Sequence, residues 1–186
     1  MGALLTGCGS QAEPTSAEPT SAEPTGNPAA SPSSGDTRPA TKQDRGSRED
    51  PPAEVPETLD FAATTVTGEP FEGASLAGKP TLLWFWAPWC PTCRGQIPQV
   101  EGLAAEFGDD VNVIGIGSLD SAEAIAGFAG DVDDLTHLED EEGELWRRFG
   151  VTEQSSFVLL DADGSVAYEA GYGGSDELGS RVADLL

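Results

Sequence analysis

One stretch leaves this chain few choices of fold. Leu82-Leu83-Trp84-Phe85-Trp86-Ala87 is an unbroken apolar run, closed by Pro88 and followed directly by Trp89-Cys90-Pro91-Thr92-Cys93. A continuous rather than alternating apolar run is the pattern of a strand buried on both faces. Pro91 suits a first helical position, where no N–H is needed. Ile97, Val100, Leu103, Ala104 and Phe107 then recur at helical spacing, so a helix is expected from Pro91 to Phe107, ended by Gly108 and kinked at Pro98. A strand that delivers two thiols to a helix start is a redox arrangement. The unpaired N–H groups and partial positive charge of a helix N-terminus favour thiolate over thiol.

Around this stretch the spacing predicts a short edge strand over Phe61–Val66, a turn at Gly68-Glu69-Pro70, and Phe71 and Leu76 packed beneath. Val111–Ile116 reads as a second buried strand, and Ser121 as the cap of a helix through Phe128. Leu135–Leu138 fits a short strand or an extended loop. Glu139–Glu144 reads as a solvated acidic lead-in to a helix around Leu145–Phe149, with Trp146 and Phe149 in the core and Gly150 as the stop. Phe157–Leu160 and Val166–Tyr168 flank Asp161-Ala162-Asp163-Gly164, a hairpin signal, and Ser175–Leu186 closes as a helix. The fold class is α/β, a central mixed β-sheet flanked by helices.

The first third differs. Nine of the 14 prolines precede residue 57 and no aromatic residue precedes Phe61, so residues 9–56 cannot offset their ordering entropy and are expected to be a disordered tether ahead of a folded domain over 57–186. The tether holds a short repeat, Ala12-Glu13-Pro14-Thr15-Ser16 and its copies from Ala17 and Ala22, too short for a structural unit. As a flexible coil it spans roughly 40 Å. Eight of the 33 acidic and four of the nine basic residues lie before residue 57, leaving 25 acids against five bases in the rest. A surface this acidic excludes nucleic acid and anionic lipid headgroups as partners.

Leu5-Thr6-Gly7-Cys8 resembles the bacterial lipobox, which implies residues 1–8 as a signal-peptide remnant, Cys8 as a lipidated first mature residue, and an extracytoplasmic protein anchored to the outer face of the cell membrane, with a secreted one as the alternative. The upstream part departs from that pattern, lacking a basic n-region and an apolar h-region.

Trp89-Cys90-Pro91-Thr92-Cys93 on this order of elements, with Pro98 eight positions after Cys90, resembles the thioredoxin superfamily. The run from Leu59-Asp60-Phe61 through Gly78-Lys79-Pro80 to Leu83–Trp86 is similar to the secreted thiol–disulfide oxidoreductases of actinobacteria, the DsbE/DsbF group, close to the TlpA type. The resemblance implies a thioredoxin-like fold, Cys90 as an exposed nucleophile and Cys93 as the buried resolving thiol. It also implies exported protein thiols and disulfides as partners, with a redox partner in the membrane. No cofactor is called for. Trp89 and Pro91 are expected to shape the entrance, and Thr92 and Arg94 to offer donors near the thiolate. The resemblance favours an oxidant. A TlpA-like reductant of cytochrome c or copper-site thiols, and a copper-binding metallochaperone-like module, stand as alternatives.

Two places depart from the family. Cytosolic thioredoxin has a buried aspartate six residues before its first cysteine, where this chain has Trp84. The family places a cis-proline opposite the dithiol, and the matching position is Ser155, for which a trans peptide is expected. Other readings of the same residues are weaker. A structural disulfide across so small a loop returns little entropy, and zinc lacks ligands beyond His137, expected on a surface or strand with no role. A peroxiredoxin would need Pro-x-x-x-Thr-x-x-Cys, and a calcium loop at Asp161 would place Tyr172 where Glu is required.

Overall fold

The computed structural model describes residues 55–186, so the lipobox at Leu5–Cys8 and nearly all of the 9–56 tether lie outside the described residues. In chain order the elements are β1 (Ala62–Thr65), β2 (Pro70–Glu72), β3 (Thr81–Trp86), α1 (Pro91–Phe107), β4 (Asn112–Gly117), α2 (Ala122–Ala129), β5 (Thr136–Glu139), α3 (Glu144–Arg148), β6 (Ser156–Leu160), β7 (Val166–Ala170) and α4 (Leu178–Ala183). They form one mixed sheet in the order β2-β1-β5-β4-β3-β6-β7. β3, β4 and β5 run parallel, joined by α1 and α2 as crossovers, while β6 returns antiparallel to β3.

β3 is buried at every position, and its alternation divides the core. Leu82, Trp84 and Trp86 face Val100 and Leu103 of α1, Ile125 and Phe128 of α2, and Leu178 and Val182 of α4. Leu83 and Phe85 face the other way, onto Leu145 and Trp146 of α3 and onto Phe149. Trp146 and Phe149 are therefore core, as the sequence suggests. β4 carries Gly115 and Gly117 between these layers. A Cβ on Gly117 would lie 2.6 Å from the Trp86 ring, and one on Gly115 would run into the His137 ring and stand 2.9 Å from Trp86 Nε1. The two glycines make room for the tryptophan that precedes the dithiol.

Several expectations need correction. β1 is not an edge: a tight turn through Gly68, at φ +86°, folds β2 back onto it, and β1 is held between β2 and β5. Of the two readings of Leu135–Leu138 the strand holds, one residue later, as β5 over Thr136–Glu139 paired parallel to β4. His137 is a strand residue but not a surface one, at 3 % exposure. The acidic run is only partly a solvated start. Buried Asp140 turns inward, and its carboxylate accepts from the N–H groups of Glu144 (2.7 Å), Leu145 (3.2 Å) and Trp146 (2.9 Å). It thus holds the first turn of α3. The C-terminal helix is shorter than expected, starting at Leu178 rather than Ser175. The Asp161–Ser165 hairpin forms as expected, with Gly164 at φ +80°.

Candidate active site

β3 ends at Trp86, and the chain turns through Ala87-Pro88-Trp89 to place Cys90 at the N-cap of α1. Pro91 takes the first helical position, and the helix runs through Pro98 to Phe107. Cys90 and Cys93 form a disulfide with their Cα atoms 5.3 Å apart. Cys90 Sγ also accepts from the Cys93 backbone N–H at 3.0 Å. The sulfur therefore occupies the place where a serine or aspartate oxygen caps a helix, meeting an unpaired N–H and the positive end of the dipole.

The expectation of an exposed Cys90 is not met: the residue is 1 % exposed in this disulfide-closed state, and Cys93 is fully buried. Capping explains the difference, since the sulfur must turn toward the helix axis to reach the N–H of Cys93. The neighbours point out instead. Trp89 is 54 % exposed, and its indole N–H donates to the carbonyl of Leu119 at 3.2 Å. Pro91 is exposed.

Thr92 and Arg94 do not stand free beside the sulfur. Thr92 Oγ1 shares a 2.7 Å hydrogen bond with the hydroxyl of Tyr172. Arg94 reaches away to Asp131, at 2.8 Å, and lies over the Phe128 ring. The long, exposed arginine gains more from a carboxylate and a ring than from a capped sulfur.

Ser155 is fully buried with φ +63°, a left-handed conformation uncommon outside glycine. Its carbonyl accepts from the N–H of Gly173 at 2.9 Å, and the Glu153 carboxylate accepts from the N–H of Tyr172 at 3.1 Å. The loop after β7 is thereby strapped to the loop before β6 and brought onto Thr92. Leu119, held by Trp89 on the other side, is a second non-glycine residue with positive φ, at +64°. Strained backbone thus flanks the dithiol on two sides.

Beneath the disulfide, Trp84 occupies the position of the missing acid. Its indole N–H donates at 3.0 Å to Oε1 of Gln96, which is itself buried one turn beyond Cys93. His137 packs edge-on to Trp84 and Trp86, and burial lowers its pKa from 6.5 to about 4. Sequence reasoning missed Tyr172, Leu119 and Gln96. Gln96 had a legible signal, a polar residue on the apolar face of α1. Tyr172 had none, lying 80 residues from its partner. Among the described residues, no group of three or more His, Cys, Asp or Glu side chains is placed to hold a metal ion, and no helix is long and apolar enough to cross a membrane.

The Redoxin family matches residues 34–180, most of the chain. The chain belongs to the Redoxin family. It is similar to the soluble secreted antigen MPT53 of Mycobacterium tuberculosis, 40 % identical over 133 residues, covering 69 % of this chain and 76 % of that protein. Among solved structures it is similar to dsbF of the same organism in its mixed oxidised and reduced forms, with 42 % identity, a TM-score of 0.66, and coverage of 71 % of this chain and 99 % of that one. A secreted M. tuberculosis disulfide oxidoreductase homologous to E. coli DsbE matches with 40 % identity and a TM-score of 0.63, covering 69 % of this chain and 98 % of that one. The fold is thioredoxin-like, and the chain is a thiol–disulfide oxidoreductase of the DsbE/DsbF type.

Proposed function

We propose that this Redoxin-family chain is an extracytoplasmic thiol oxidant that passes its Cys90–Cys93 disulfide to the thiols of exported proteins. The observation that carries the direction is the capped sulfur. A 3.0 Å bond from the Cys93 N–H, at the head of a 17-residue helix, stabilises charge on Cys90 once the pair is reduced. Stabilising the reduced form makes the disulfide the better oxidant. The substrate thiolate attacks Cys90, and Cys93 is the resolving thiol. Trp89, Pro91 and Thr92 form the surround against which the substrate chain lies, and buried Ser155 supports it from behind by holding the loop at Gly173.

Relatives named as secreted support a place outside the cytoplasm. The Leu5–Cys8 motif supports lipid anchoring at Cys8, with the tether ahead of residue 57 holding the domain clear of the membrane surface and a membrane redox partner restoring the disulfide. The equilibrium potential against glutathione tests the direction. It is expected to lie well above that of a cytosolic thioredoxin, about −270 mV; a value at or below that figure makes the chain a reductant. Cys93→Ser is expected to trap mixed disulfides with exported proteins and Cys90→Ser to trap few. Equal trapping reverses the two roles.

A further inference from the structure

Gln96 lies on the face of α1 that packs on β3, 4 % exposed. An indole N–H can only donate, so the Gln96 atom that meets Trp84 Nε1 at 3.0 Å is the carbonyl oxygen. That bond fixes the direction of the amide and leaves Nε2, with two N–H donors, buried and without a partner. Such a group is costly in a core and calls for an explanation. Gln96 follows fully buried Cys93 by three positions, one turn along the same face of α1. On the same face the buried titratable groups are the two cysteines and His137, which burial keeps neutral; Asp140 caps α3 on the other face. Among the described residues, no lysine or arginine is buried to meet a thiolate at Cys93.

We propose that Gln96 is a catalytic residue of the exchange, its amide donating to the sulfur of Cys93 whenever that sulfur carries negative charge. The inference rests on the reading that the Cys90–Cys93 pair exchanges disulfides. A substrate thiolate attacks Cys90 Sγ, the Cys90–Cys93 bond breaks, and its electron pair leaves on Cys93, where the amide N–H receives the charge. A second substrate thiolate then attacks the substrate sulfur of the mixed disulfide, and Cys90 leaves as thiolate. The substrate dithiol is oxidised by two electrons, the protein disulfide is reduced by two, and the two substrate protons pass to the protein dithiol or to water. Trp84 is a positioning residue that acts through Gln96.

The test is the rate at which reduced glutathione opens the disulfide of the full oxidised chain, with thermal stability measured beside it. Gln96→Met, which conserves volume, is expected to slow opening about tenfold, the effect of one charge-assisted hydrogen bond lost from the leaving sulfur. In a Cys90→Ala background the same change is expected to raise the Cys93 titration by about one pH unit. Trp84→Phe is expected to slow opening less, and to add little to Gln96→Met, because both act on one amide. Opening at the wild-type rate in Gln96→Met, or effects that multiply in the double variant, overturns the proposal. If Gln96→Met does not fold, an unshifted Cys93 titration in Trp84→Phe overturns it. If the wild-type disulfide resists glutathione altogether, the exchange reading itself falls.

Discussion

His137 makes the acid stability of this domain predictable. The ring is 3 % exposed, packed edge-on between two tryptophans, and neither nitrogen has a hydrogen-bond partner. Burial lowers its pKa from 6.5 to about 4. Between those values the unfolded chain binds a proton that the folded chain refuses. Stability therefore rises with pH across the window: the contribution is fully present above about 6.5 and is lost progressively as pH falls toward 4. At about 1.4 kcal/mol per pH unit the whole window is worth about 3 kcal/mol, of which about 2 kcal/mol is gone by pH 5. Urea unfolding at about pH 7 and about pH 5 reads this directly, in wild type and in His137→Leu. The carboxylates titrate in both proteins, so they cancel in the difference. The expected result is an acid loss about 2 kcal/mol shallower in His137→Leu, with a pH 7 stability no lower than wild type because two unpaired nitrogens are gone. Parallel pH dependence in the two proteins would refute the claim that His137 is buried and neutral.

The remaining predictions concern the supports of the site. Asp140→Ala is expected to cost about 1–2 kcal/mol, since three N–H groups at the start of α3 lose their acceptor; a lowered melting temperature and faster amide exchange at Glu144–Trp146 check it. Thr92→Val removes the 2.7 Å bond to Tyr172, an exposed contact worth under about 1 kcal/mol. Stability is expected to change little, while amide exchange quickens across 171–174. Unchanged exchange there would show that the strap is held by Glu153 and Ser155 alone.

The legible features are those in which cause and effect are neighbours in sequence. The apolar run at Leu82–Ala87 specified a doubly buried strand, and Pro91 the start of α1, within a residue of where each lies. Asp163-Gly164 specified its hairpin, because a positive φ was needed and glycine supplied it. Asp140 is hidden in a charge run in which Glu141, Glu142 and Glu144 do face solvent; only the start of α3 beside it gives its carboxylate three N–H groups to turn toward. The place of β1 inside the sheet is not legible, because a four-residue strand carries no record of how many partners it has. The exposed Cys90 expected from the family was corrected by one capping bond, which forms only when the helix does.

By itself the sequence determined that a buried strand delivers Cys90 and Cys93 to a helix N-terminus, and that the rest must fold around it. Local propensity and burial suffice for that, since all the groups lie within one strand and one helix. Only the tertiary structure decided what surrounds the disulfide. Sheet register sets His137 beside Gly115, which has no side chain to keep it away from Trp86. The packing of α1 on β3 locks Gln96 onto Trp84. The loop after β7 carries Tyr172 across to Thr92. Such contacts join positions far apart in the chain, and their geometry exists only once the intervening elements have paired and packed.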